Sequence, residues 1–142
     1  MRKNRDGRGI LHWRCFRAVH RPAAPTIGFK VGTFFENANL DLKTIFKLAY
    51  LWCMNLPLEY AEFETEVAHR HVVDCHKKFR QICVRYFRAH PIRLGGGGLT
   101  VEADEILSSL LKEFNWRERF GQRNMVFYNF WSQVAALYPC QH

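Results

Sequence analysis

Residues 95–105 read GGGGLTVEADE, from Gly95 to Glu105, and this order predicts a glycine hinge followed by a β-strand. Apolar and polar side chains alternate from Leu99 to Asp104, which is the period of a strand with one buried face and predicts a strand over residues 99–106. Glu102, Asp104 and Glu105 place three carboxylates in four residues. Because hard cations prefer oxygen ligands, such a strand could hold Mg²⁺ for phosphoryl chemistry. Surface carboxylates at a strand end are the alternative, and the pattern alone favours that alternative.

Three helical patterns precede the glycine hinge. Residues 40–55 carry apolar side chains at three- and four-residue spacing after a cap at Asn39 or Asp41, and residues 57–65 form a short helix. Residues 68–89 predict a longer helix with one apolar and one basic stripe. A short acidic helix before a basic amphipathic helix is the order of a helix-turn-helix, whose last helix enters the DNA major groove. A three-helix bundle with a charged outer face is the alternative.

The remaining chain has weaker patterns. Residues 107–115 are ambiguous between helix and strand. Residues 124–131 are rich in β-branched and aromatic side chains, which predicts a second strand that pairs with the first. Residues 1–33 have no sustained period and predict a basic arm without regular structure.

The formal charge of +8 is unevenly distributed along the chain. Residues 1–30 carry eight Lys and Arg side chains against Asp6 alone, and residues 70–93 carry seven against Asp74 alone. Clustered positive charge favours a polyanionic partner such as DNA, because neutralised phosphates release counterions. A solvated basic face is the alternative. The candidates for phosphate contact on the third helix are Arg70, Lys77, Lys78, Arg85 and Arg88.

The cysteines and the apolar runs constrain the compartment. Five scattered cysteines are typical of reduced thiols, so we expect an intracellular protein. No apolar run approaches the roughly 20 residues of a membrane-spanning helix, so we expect no membrane contact. The basic first residues lack the apolar segment of a secretory signal. Zinc is disfavoured because a structural site needs four ligands in closely spaced pairs, and the sequence contains no CxxC.

Three sequence blocks occur in a suggestive order. Residues 32–40 read GTFFENANL, residues 72–83 read VVDCHKKFRQIC, and residues 95–105 read GGGGLTVEADE. Together these blocks resemble the Merlin-type DDE transposases, which are akin to bacterial insertion-sequence enzymes. In that family the corresponding segments open the helical domain, form a helix with the pattern V-V-D-W-x-x-F-x-R-x-V-C, and open the catalytic domain. The resemblance covers residues 11–130.

The resemblance implies an α+β fold in three parts. Residues 1–33 would be a basic arm left from a zinc ribbon, and residues 34–93 a helical, helix-turn-helix-like DNA-binding domain. Residues 94–142 would be an incomplete ribonuclease H-like α/β segment, the N-terminal part of a transposase catalytic domain. The family's site residues would then fall on Asp104 as a catalytic, Mg²⁺-binding carboxylate, on Glu105 as a further Mg²⁺ ligand, and on Arg117 and Arg119 as DNA contacts.

The chain departs from the family where the other catalytic acids should follow, because no residue after Glu118 is acidic. We therefore expect a truncated or decayed transposase-derived protein that binds DNA without strand-transfer activity, nuclear if the source is eukaryotic. Whether it forms a homo-oligomer stays open. One alternative is a metal-dependent DNA-cutting transposase that needs missing sequence or a partner. Another is a helical interaction module or a non-functional remnant.

Overall fold

The computed structural model describes residues 2–5, 11–15, 17–20, 26–91 and 105–139. The chain divides into two units, Met1–Asn39 and Leu40–His142. The first contains a small antiparallel sheet and the second is helical, so the chain belongs to the α+β class with helix predominating.

The sheet unit has regular structure in part of residues 1–33, where the sequence predicts a basic arm. Its three antiparallel strands pair in chain order, and the ring of Trp13 stacks on Phe29 with 5.7 Å between centroids. The expectation that residues 1–33 lack regular structure is wrong for these segments, because strands of three or four residues are too short to show an alternating pattern in sequence. The strands are β1 (Arg2–Arg5), β2 (Leu11–Arg14) and β3 (Thr26–Gly28).

The helical unit contains five α-helices among the described residues. The first three confirm the helices predicted over residues 40–55, 57–65 and 68–89. Asp41 is the N-cap of the first, and a hydrogen bond with the Thr44 side chain lowers the pKa of its carboxyl group. The helices are α1 (Leu42–Cys53), α2 (Leu58–Thr65), α3 (His69–Ala89), α4 (Glu105–Phe120) and α5 (Val126–Leu137).

Aromatic rings from four helices form the core of the helical unit. The Trp52 ring centroid of α1 lies 5.7 Å from that of Phe79 in α3, 6.0 Å from that of Trp116 in α4, and 5.4 Å from that of Phe130 in α5. All four side chains are buried, and burial of each large apolar side chain contributes roughly 1.5–3 kcal/mol. The helices on both sides of residues 92–104 therefore share one core, whereas the resemblance implies a domain boundary between residues 93 and 94.

Both strand predictions fail where the structure describes them. Residues 124–131, expected to be a second strand, form a turn and the first half of α5. Val126, Phe130 and Val134 recur every four residues and are buried, so helical periodicity outweighs the β-propensity of this composition. Glu105 and Ile106, expected to end the first strand, begin α4 instead. Residues 99–104 of that strand lie outside the described residues.

α4 ends at Phe120, and the backbone of the next residue, Gly121, lies close to the last turn of the helix. Its amide donates a hydrogen bond to the carbonyl oxygen of Arg117 at 2.7 Å. A Cβ atom at this position would lie 2.2 Å from the same oxygen, so a side chain does not fit without a backbone shift. Glycine thus permits the sharp exit that brings α5 back onto α1, α3 and α4.

Candidate nucleic-acid interface

α3 has one buried face and one exposed basic face. Val72, Phe79, Ile82, Cys83 and Phe87 are buried against the other helices. The opposite face is defined by side chains that are all exposed and that recur at helical spacing. The predicted amphipathic division of this helix is therefore confirmed. We call the exposed set the basic face of α3; it consists of Arg70, Lys77, Gln81, Arg85 and Arg88.

A groove of about 480 Å³ lies between α3 and the first half of α4. Five cationic side chains line it, whereas Glu105 is the one carboxylate among its lining residues in the described chain. The groove also contains Gln81 and two serine hydroxyls of α4. The cationic residues are Lys77, Arg80, Arg85 and Arg88 of α3 and Lys112 of α4.

Two of the α3 cations in this groove already have partners within the protein. Arg80 donates from Nε to an oxygen of Glu113 at 2.6 Å. Arg85 donates from one terminal nitrogen to the Tyr138 hydroxyl at 2.6 Å, and its guanidinium lies 5.4 Å from the Tyr138 ring centroid. Arg85 remains exposed and keeps further N–H groups for a ligand.

Arg117, predicted to contact DNA, is occupied by contacts inside the fold. Its Nε and one terminal nitrogen donate to Glu113 at 3.0 and 2.9 Å, and that terminal nitrogen also donates to the Trp52 carbonyl at 3.1 Å. Its guanidinium lies 4.3 Å from the Trp52 ring centroid. These contacts of Arg117 hold α4 against α1. Because its donors are used inside the fold, we do not include Arg117 in the interface.

The other predicted DNA contacts have different positions. Arg70 is exposed at the start of α3, outside the groove, and Lys78 is half-buried beside the basic face. Arg119 is exposed on α4, with its guanidinium 5.4 Å from the Phe120 ring centroid, and does not line the groove. The structure thus brings Lys77, Arg85 and Arg88 together.

Sequence reasoning missed the α4 side of the groove. Lys112 donates from Nζ to the Ser108 hydroxyl oxygen at 3.0 Å, a contact between residues one helical turn apart. A helical reading of residues 105–112 would have shown this four-residue spacing, but the alternating pattern before it predicts a strand. Which helix lies beside α3 depends on tertiary packing and could not be read from the local sequence.

The catalytic and metal predictions fall mostly outside the described chain. Asp104 lies outside the described residues, and Glu105 is exposed in the first turn of α4. Within the ranges that the structure describes, no three His, Cys, Asp or Glu side chains converge as a metal site. Magnesium at Asp104 and Glu105 remains a prediction from the resemblance.

Three cysteines of the helical unit are poor nucleophiles. Burial raises the pKa of the Cys53 thiol to about 12, and burial also raises the pKa of Cys83 and Cys75. With raised pKa values these thiols stay protonated at neutral pH. Because the thiolate is the reactive form, they are weak nucleophiles.

Comparisons with known proteins identify no relative of this chain. No protein-family model, no curated protein and no solved structure matches it. The likeness to Merlin-type transposases thus rests on the three sequence blocks alone. Separately, none of the described helices has the length and apolar character needed to cross a bilayer.

Proposed function

We propose that this protein is a transposase-derived DNA-binding protein, with DNA binding rather than strand transfer as its activity. The basic face of α3 carries this proposal: four cations and one glutamine lie exposed along one side of a single helix. Lys and Arg side chains on such a face bind phosphates without regard to sequence, and each contact releases counterions.

The connection between α2 and α3 supports the same function. α2 has eight residues, and residues 66–68 form a short turn in which Glu66 has a left-handed φ of 53°. His69 at the start of α3 bonds to Glu62 of α2 at 2.6 Å. A short helix, a tight turn and a longer exposed helix follow the order of helix-turn-helix proteins, whose second helix enters the major groove.

Asp74 opposes phosphate binding on the same face. It is exposed one turn after Arg70 and three residues before Lys77. A carboxylate at this position repels a phosphate, so its removal should strengthen DNA binding if DNA lies against this face. A variant at Asp74 should therefore raise DNA affinity, whereas removal of cations from the same face should lower it.

The test is fluorescence anisotropy of a labelled duplex of about 20 base pairs titrated at several salt concentrations. The double variant Arg85→Glu, Arg88→Glu should weaken binding at least tenfold and lower the slope of log K against log salt by about 2. Asp74→Asn should tighten binding about two- to fivefold. Circular dichroism checks that each variant is folded.

The matched control carries the same change in net charge at other exposed sites. Lys43→Glu with Arg119→Glu alters α1 and α4 outside the basic face, and we expect this variant to lose much less affinity. Equal losses in the two double variants, or no duplex binding at low salt, would reject the proposed interface.

The resemblance also predicts a metal, which needs its own assay. Nicking of supercoiled plasmid in Mg²⁺ or Mn²⁺ should be absent from the purified chain, and Asp104→Ala should leave DNA affinity unchanged. Metal-dependent nicking that Asp104→Ala abolishes would show an enzyme instead of a binding protein.

A further inference from the structure

A cleft in the surface of the helical unit lies where the end of α1 meets the start of α5. It consists of two adjoining cavities of about 580 and 550 Å³, which share Tyr50, Met54 and Arg123 among their lining residues. Volumes of this size are typical of small-molecule sites. We call the two cavities together the α1–α5 cleft. It shares no lining residue with the groove between α3 and α4.

Aromatic rings from both helices line this cleft. Tyr128 of α5 is 65 % exposed and Tyr50 of α1 is 48 % exposed, so both side chains keep free surface for a ligand. Phe127 packs edge-on against Tyr50 with 5.6 Å between the ring centroids, and the Trp131 ring lies 6.2 Å from that of Phe127. Exposed aromatic side chains of this kind bind nucleobases by stacking, because every base has a π-face.

Three polar side chains stand beside these rings. Arg123 is exposed in the turn between α4 and α5, and its side chain has no ion pair or hydrogen bond within the ranges that the structure describes. Asn124 follows it, and Asn55 lines the cleft from the turn after α1, where its left-handed φ of 56° ends the helix. Each asparagine amide offers both donors and an acceptor to a ligand.

The charges in the cleft favour an anionic ligand. The second cation of the lining, Arg117, is paired with Glu113 at 2.9 Å, whereas Arg123 keeps its charge for a ligand. None of the residues that line either cavity in the described chain is acidic, so no carboxylate repels an anion there.

A nucleotide combines the three features that the lining can recognise. Its base is a flat ring for the tyrosines, the edge of the base carries hydrogen-bonding groups for the asparagine amides, and its phosphate is an acceptor for a guanidinium. An acidic aromatic peptide would share the charge and the ring, but its ring lacks hydrogen-bonding groups along the edge.

We infer that the α1–α5 cleft is a nucleotide-binding site, in which the base stacks on Tyr128 and Tyr50 and the phosphate binds Arg123. The ligand is a free nucleotide or an unpaired nucleotide of a DNA strand, since a base inside a duplex is stacked between its neighbours. The inference goes beyond the proposed function, because no residue of the cleft belongs to the basic face of α3.

The experiment is an NMR titration of the isotope-labelled protein with deoxyadenosine monophosphate, for which we expect a dissociation constant on the order of 0.1 mM. Tyr128→Ala should weaken binding about tenfold, whereas Tyr128→Phe keeps the ring and should change it less than about twofold. Arg123→Gln should weaken nucleotide binding about tenfold and leave the binding of deoxyadenosine, which has no phosphate, unchanged.

Tyr60→Ala on α2 and Arg119→Gln on α4 are the matched controls, because they remove an exposed tyrosine and an exposed arginine outside the cleft. Losses equal to those of Tyr128→Ala and Arg123→Gln would overturn the inference. So would equally tight binding of inorganic phosphate, which would show an anion site that ignores the base. Tighter binding of a peptide of alternating Asp and Phe would make the cleft a protein-docking surface instead.

An oligodeoxyadenylate of about ten nucleotides distinguishes the two sources of the ligand. It is titrated into the Arg85→Glu, Arg88→Glu variant, so that the basic face of α3 contributes little. Tighter binding of the strand per nucleotide would assign the cleft to unpaired DNA, and equal binding would assign it to the free nucleotide. Absence of nucleotide binding to the wild-type protein would reject the site, while the duplex assay still decides the proposed function.

Discussion

The outer faces of α3 and α4 carry opposite chemistry although the two helices pack against each other. α3 exposes Arg, Lys and Gln, whereas α4 exposes large apolar side chains. Hydrophobic residues therefore mark the core in α3 but not along all of α4, which is held against its neighbours by Trp116 and the ionic contacts of Glu113. The exposed α4 side chains are Ile106 (73 %), Leu107 (49 %), Leu110 (44 %) and Phe114 (60 %).

Removing one phenylalanine from each helix gives the largest expected contrast. Phe79 of α3 is 1 % exposed and contacts the rings of Trp52 and Phe130, so Phe79→Ala should cost about 3–5 kcal/mol of unfolding free energy. Phe114→Ala on the exposed α4 face should change it by less than about 1 kcal/mol. Urea denaturation measures both, and similar losses would show that the α4 face is covered in solution.

Neutralising Glu113 should have the next largest effect. Its carboxylate accepts hydrogen bonds from Arg80 and Arg117 and is only 14 % exposed. Glu113→Gln should cost about 1–3 kcal/mol, because two guanidinium groups lose their shared negative charge. The exposed Glu118 on the same helix supplies the control, Glu118→Gln, with less than about 0.5 kcal/mol. If Glu113→Gln and Glu118→Gln both cost little unfolding free energy and cost it equally, the ionic contacts of Glu113 do not stabilise the packing of α4.

The smallest effect concerns the pH dependence of stability through His76 on α3. Burial lowers the pKa of its imidazole, with Arg80 and Arg117 acting in the same direction and Glu113 opposing them. The unfolded chain therefore binds this proton more readily, so stability should fall as pH drops below about 6.5 toward the folded-state pKa. Urea titrations at a series of pH values should show a weaker dependence in His76→Gln.

The control for His76 is the exposed His71 on the same helix. His71→Gln should leave the pH dependence of the unfolding free energy as in the wild type. If His76→Gln and His71→Gln behave alike, the packing around His76 does not disfavour its charged form.

The sequence was sufficient for α1 and α3 because each has one dominant period. Val72, Phe79, Ile82 and Cys83 recur at helical spacing, and no strand pattern competes with them. α5 was missed because its β-branched and aromatic composition conceals the four-residue recurrence of Val126, Phe130 and Val134.

The candidate site was predictable only on the α3 side. Sequence reveals the charge of Lys77 and Arg88 and their shared helix face, which is local information. It does not reveal that Arg117 points its donors at Glu113 and Trp52, or that Lys112 lies across a groove from α3. Both facts depend on how α4 packs, and α4 itself was obscured by the alternating residues before it.

The four tryptophans give the chain its own optical reporters. Trp13 belongs to the sheet unit, where it stacks on Phe29, whereas Trp52, Trp116 and Trp131 belong to the helical unit. Emission that remains after Trp13→Phe comes from the helical unit alone, and the difference from the wild type comes from the sheet unit. The unfolding of each unit can thus be followed by the tryptophan fluorescence of that unit in the intact chain, without an added dye.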